Sequence, residues 1–199
     1  MRIVVVGTSG AGKSTLARSL AGRFAVPHIE LDAINWQPGW RALAAEDPPE
    51  FARRVDIATA AVAWVADGNY GSVRPLLWGR ATHLVWLDYS RAVVMRRVLR
   101  RSLHRAVAGT ALWAGNREDW RRLFRASHPI RWAWQSWTRV RAETASLLAD
   151  PQFAHLRVLR PASPRALPGA IAALDAAASR AMTAATRDAC CPHPPAPRA

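Results

Sequence analysis

Lysine occurs once in this chain, at Lys13; every other one of its 28 basic residues is arginine. That lysine lies in the stretch "GTSGAGKST", Gly7 to Thr15, which fits the pattern G-x-x-x-x-G-K-[ST] through Gly7, Gly12, Lys13 and Ser14. Glycines so spaced let the backbone turn until successive N–H groups point at one anion. A compact, flexible ammonium suits the β- and γ-phosphates of a nucleotide better than a planar guanidinium fork does. The Ser14 hydroxyl is a fitting Mg²⁺ ligand, and Thr15 reads as a helix-start residue. The candidate phosphate-binding set is therefore Gly7, Thr8, Ser9, Gly10, Ala11, Gly12, Lys13, Ser14 and Thr15.

Three carboxylates follow apolar runs. Asp32, after "VPHIEL", could accept the proton of an attacking hydroxyl or hold Mg²⁺ through water. Asp67, after "AWVA", is a candidate Mg²⁺-water ligand, or the start of a plain Asp-Gly turn. In "DGNY" Gly68 reads as a turn residue, which leaves Asn69 and Tyr70 to touch substrate. Asp88 reads as the cap of a helix starting near Arg91. In "RAVVMRRVLRRSLHR", Arg97, Arg101 and Arg105 recur every four residues and form one helical stripe. Forked guanidinium groups of that kind stabilise a phosphoryl group in transfer; a solvated basic face is the alternative. Trp36 and Trp40, either side of "QPG", are candidates to line an acceptor pocket.

Residues of these types need a scaffold that brings loops together. The run Ile3 to Val6 reads as a buried parallel strand, and "KSTLARSLAGRF" as the helix after the glycine loop. Further strands are expected at Val26 to Leu31, up to Asp67, up to Asp88 and at "HLRVLR", with helices between them. Such alternation implies an α/β fold with a five-stranded parallel sheet covered on both faces. Function in such sheets gathers at the carboxyl ends of the strands, which is where Gly7, Asp32, Asp67 and Asp88 fall. The expected organisation is one domain over residues 1–180, with a basic lid at about 96–130 and a disordered Pro/Ala-rich tail over 181–199.

The net charge of +14 is concentrated: twelve arginines lie from Arg96 to Arg141, opposed by Glu118 and Asp119 alone. A phosphorylated ligand explains this clustering as well as nucleic acid does, and no nucleic-acid-binding signature accompanies it. No run approaches the length of a membrane span, and the two cysteines, Cys190 and Cys191, are adjacent and form neither a disulfide framework nor a zinc site. A cytoplasmic protein is expected.

The segments "GTSGAGKSTLAR", "HIELDAINWQPGW", "WVADGNYG", "ATHLVWLDYSRAVVMRRVLRRSLHR" and "LWAGNRE" resemble a bacterial family of small P-loop proteins. That family is labelled DNA-topology-modulation-protein-like or adenylate-kinase-like, and the resemblance covers roughly residues 1–150. It implies the nucleoside/nucleotide kinase fold, with ATP and Mg²⁺ held by Gly10, Gly12, Lys13, Ser14 and Thr15, and a lid that begins with the arginines from Arg96 to Arg105. The segment "ELDAINWQPGW" departs from adenylate kinase itself, lacking that enzyme's AMP-clamping arginine. Asp32 looks more like the acceptor-contacting acid of shikimate or gluconate kinase. The leading expectation is an ATP-dependent kinase acting on a small-molecule or nucleotide acceptor. A nucleic-acid-associated ATPase and an ATP-binding switch with little turnover are the alternatives.

Overall fold

The computed structural model describes residues 1–108, 113–115 and 129–190. Strand β1 (Arg2–Gly7) is central to a five-stranded parallel sheet that also contains β2 (His28–Glu30), β5 (Trp64–Asp67), β6 (His83–Leu87) and β7 (Arg157–Leu159), in the order β2-β5-β1-β6-β7. Alternation along β1 sends its side chains into two separate cores. Val4 and Val6 pack with Trp64, Leu84 and Trp86 on one face. Ile3 and Val5 pack with Val65, Val85 and Leu87 on the other. A sheet buried on both faces needs continuous apolar strands, and the buried runs of β1, β5 and β6 supply them.

Helix α1 (Lys13–Phe24) starts directly after the glycine loop and buries Leu16, Ala17, Leu20 and Ala21. It stops at Ala25, in the left-handed conformation. The following Pro27 cannot donate a ladder hydrogen bond. These two features make β2 shorter than the six residues expected from the sequence: it runs from His28 to Glu30.

Helix α2 (Leu31–Asn35) follows at once, so Asp32 sits in the first turn of a helix rather than at a strand end. Strands β3 (Trp36–Gln37) and β4 (Arg41–Ala42) form a small antiparallel hairpin, with Pro38–Trp40 as its turn. Helices α3 (Leu43–Glu46) and α4 (Pro48–Ala58) lead to β5, and α5 (Arg74–Arg80) leads to β6. Asp47 caps α4 by accepting from Glu50 N–H, and prolines occupy its first positions.

Helix α6 (Arg91–Ala108) carries the arginine stripe, and α7 (Pro129–Leu148) returns alongside it. About half of the expected lid, 96–130, lies outside the described residues (109–112 and 116–128); the rest is the end of α6, the start of α7 and a turn at Trp113–Gly115 that lies against β3 and α2. Helix α8 (Leu167–Cys190) continues ten residues past the expected start of the tail. "AMTAATRDAC" contains no proline or glycine to stop it, and its alanines favour helix; residues 191–199 lie outside the described residues.

Asp88 does not cap α6. Its buried carboxylate accepts from Arg141 on α7 and from Arg160 after β7, the latter at 2.6 Å. Ser90 takes the capping place, its Oγ accepting from Val93 N–H at 3.5 Å.

Candidate active site

The glycine loop bends from the end of β1 into α1. Gly10 has φ +85°, and a Cβ there would lie 2.2 Å from Val98 Cγ2, so α6 rests directly on the loop. From that helix Arg97 donates to Ala11 O at 2.7 Å, while its guanidinium lies 5.1 Å from the Tyr89 ring centre. Arg101, one turn further along α6, is near enough for its charge to act on Lys13. Arg97 and Arg101 are thus brought to the loop, as the four-residue spacing implies. The Arg105 side chain lies outside the described residues.

Lys13 donates to Thr8 O at 3.3 Å. Burial pushes its ammonium below the ordinary lysine range; Arg101 pushes the same way, while Asp32 and Asp67 oppose both. The charges of two carboxylates and a guanidinium thus all act on this ammonium. The Thr8 hydroxyl is buried without a hydrogen-bond partner. A buried hydroxyl of that kind costs free energy unless a ligand satisfies it. The converging loop, the helix start, Lys13 and this hydroxyl together fit a nucleotide's phosphates.

At the end of β5, Ser14 donates to Asp67 Oδ2 at 2.6 Å. A hydroxyl that gives its hydrogen to a carboxylate keeps its oxygen lone pairs for a cation. No group of three or more His, Cys, Asp or Glu side chains is gathered for a metal among the described residues. A hard cation at Ser14 and Asp67 would thus complete its shell with water and phosphate oxygens, which is the usual habit of Mg²⁺. The donor set fits that ion.

"DGNY" turns out to organise the whole site. Asp67 holds Ser14. Gly68, at φ +142°, leaves room for Leu31, whose Cβ would be 2.8 Å from a Cβ at this position. Asn69 donates to Gly7 O at 2.7 Å, and Tyr70 donates to Asp32 Oδ1 at 2.6 Å. Asn69 and Tyr70 are therefore committed to protein partners instead of being left for substrate, although both also line the adjoining cavity. Burial first, then the charge of Asp32 and the bond to it, hold the Tyr70 hydroxyl far above the ordinary tyrosine range, against a smaller opposing effect of Asn35. It remains a donor at any ordinary pH.

A cavity of about 550 Å³ opens beside the loop, with Ser9, Lys13 and Asp32 on one side and Arg74, Arg139 and Glu143 on the other. Arg74 on α5 and Glu143 on α7 are joined at 2.7 Å. Trp36 lines this cavity, while Trp40 packs edge-on against Trp36 at 5.5 Å between ring centres. The sequence did not single out the cavity's far wall, because Arg74, Arg139 and Glu143 lie on two helices far apart in the chain. Their residue types alone do not distinguish them from other surface charges.

No protein-family model matches the sequence, and a search of curated proteins finds no match. Solved structures do share the fold. Shikimate kinase from Acinetobacter baumannii, in complex with shikimate, superposes with a TM-score of 0.53 at 17% identity, over 90% of this chain and 93% of that one. A gluconokinase from Sinorhizobium meliloti 1021 gives 0.50 at 19% identity, over 92% and 95%. Shikimate kinase from Bacteroides thetaiotaomicron gives 0.51 at 16% identity, over 90% and 98%. The chain has the P-loop kinase fold, an α/β fold with a five-stranded parallel sheet.

Proposed function

We propose that this chain is an ATP-dependent phosphotransferase that moves the γ-phosphate of ATP to a small acceptor bound in the cavity beside the loop. One observation carries this reading: Lys13 and Asp32 line the same cavity, the first from the phosphate loop and the second from the first turn of α2. A nucleotide switch or simple ATPase has no need of a carboxylate held towards such a cavity by a half-buried tyrosine. The P-loop kinase fold and neighbours that include small-molecule kinases agree with it. The phosphate loop, Asp32, Asp67 and Tyr70 lie in segments that resemble the topology-modulation family, and we place the chain on the kinase side of that resemblance.

In this reading the loop from Gly7 to Thr15 holds the phosphates, and Lys13 reaches the β- and γ-phosphates. Ser14 and Asp67 would hold Mg²⁺, Asp67 through water, and the bound cation would supply positive charge beside the phosphates. Asp32 orients the acceptor hydroxyl and takes its proton as the oxygen bonds to the γ-phosphorus. The bond from that phosphorus to the β–γ bridging oxygen breaks, and ADP leaves with the electron pair. Arg97 and Arg101 brace the loop and offset the charge that develops; Arg105 is assigned to the same stripe on its spacing alone. The remaining wall, with Arg74, Arg139 and Glu143, selects the acceptor.

The test is ADP release from Mg-ATP across nucleosides, nucleoside monophosphates, sugar acids and other small hydroxy acids. One acceptor class is expected to stimulate release in the wild type, and Lys13→Ala and Asp32→Asn are expected to abolish it. Stimulation that survives Asp32→Asn contradicts the role given to that carboxylate.

A further inference from the structure

His28 has no part in the scheme above, yet it touches the carboxylate assigned to the cation. It stands on β2, paired in register with Val65 of β5. Its Nε2 is 2.7 Å from Asp67 Oδ1. A carboxylate offers only lone pairs, so Nε2 carries the hydrogen in this contact. Asp67 Oδ2 accepts from Ser14 Oγ at 2.6 Å on its other side. The Asp67 side chain is 2% exposed and that of His28 17%. A chain of two short bonds thus runs from His28 through Asp67 to Ser14.

We propose that His28 is a positioning residue for the divalent cation. The inference rests on the nucleotide reading of the loop and adds to it the residue that orients the acid. A carboxylate gripped at one oxygen alone can rotate about its side-chain torsion. Gripped at both, it presents Oδ2 to Ser14 in one plane and keeps that hydroxyl's lone pairs turned towards the cation. A donor behind a metal-binding carboxylate acts on affinity through orientation, and loss of such a partner typically weakens metal binding about 10- to 100-fold.

The experiment measures Mn²⁺ binding by electron paramagnetic resonance in the presence of the non-hydrolysable ATP analogue AMP-PNP. It compares the wild type, His28→Leu and His28→Gln, with AMP-PNP affinity also measured in chelator. His28→Leu is expected to weaken Mn²⁺ binding about 10- to 100-fold and to leave metal-free AMP-PNP affinity unchanged. His28→Gln, whose amide can still donate to Asp67, is expected to restore most of the loss. Should the leucine variant fail to fold, His28→Asn, polar but too short to reach Asp67, replaces it under the same criteria. The proposal is overturned if the variant binds Mn²⁺ as the wild type does. It is overturned equally if nucleotide affinity falls alike with and without metal, or if glutamine gives no recovery. A wild-type chain that binds neither AMP-PNP nor its Mn²⁺ complex overturns the nucleotide reading itself, and this inference with it.

Discussion

Tyr70 bonds Asp32, the acid proposed to face the acceptor, whereas its place in "DGNY" leaves it, on sequence alone, to touch substrate. Its hydroxyl donates to Asp32 at 2.6 Å, and its ring packs 5.0 Å from that of Phe51. Tyr70→Phe is expected to keep the ring and lose the bond, lowering acceptor-dependent turnover about tenfold or more with little change in ATP affinity; steady-state kinetics in both substrates checks this. Tyr89 too is raised above the ordinary range, by burial, which outweighs the opposing effects of Arg97. These are the two tyrosines of the chain. Both tyrosines of the folded protein are therefore expected to ionise above pH ~10, where unfolded tyrosine ionises. Because both folded values are raised, their contribution to stability is complete below that pH and is lost as the pH climbs beyond it. A folded protein that develops half its phenolate signal near pH ~10 contradicts this placement. The motif around Lys13 was legible because its residue types and spacing encode one local geometry. The Tyr70–Asp32 bond was not, because it joins the first turn of a short helix to a loop 38 residues further along the chain that only the sheet brings near it.

Elements decide how the loop is held. Helix α6 lies so close to Gly10 that any side chain there meets Val98. Gly10→Ala combines this clash with a backbone angle that alanine tolerates poorly, and a cost of about 1–3 kcal/mol is expected, read as a lowered thermal midpoint. Adding Val98→Ala should relieve the clash but not the backbone strain, so the double variant should lose less stability than the sum of the singles. Additive losses would mean that α6 does not rest on the loop. Alternating apolar runs made the five strands readable. The short helix carrying Asp32 was missed, since five residues are too few to display a helical period, and its position depends on Leu31 packing over Gly68.

Across the whole molecule, Asp88 ties the end of β6 to α7 and to the segment after β7. Burial alone would raise its carboxyl, but hydrogen bonds and charge from Arg141 and Arg160 outweigh burial and hold it below the ordinary aspartate range. Both arginines also stack on tryptophans: Arg141 lies 4.5 Å from the Trp137 ring centre and Arg160 lies 4.0 Å from that of Trp86. Asp88→Asn is expected to cost about 1–3 kcal/mol, less than a fully buried pair because water reaches both guanidinium groups. Since the folded value is depressed, the stabilisation is present above pH ~4 and lost as the pH falls through the folded value. The acid limb of the stability curve should flatten in the variant, which denaturant titrations at several pH values would show. Sequence reasoning gave Asp88 a helix cap because the cap signal is local, whereas its true partners lie 53 and 72 residues further along the chain.

The charge of +14 and the cavity between the loop and α7 come down to one question, which is where the γ-phosphate goes. The most direct measurement follows ADP and phosphorylated acceptor together in one reaction, with and without the acceptor that the panel selects. A transferase yields one phosphorylated acceptor for each ADP, and both fall together in Asp32→Asn. ADP accompanied only by inorganic phosphate, at a rate indifferent to any acceptor, would contradict the account and make the chain an ATPase.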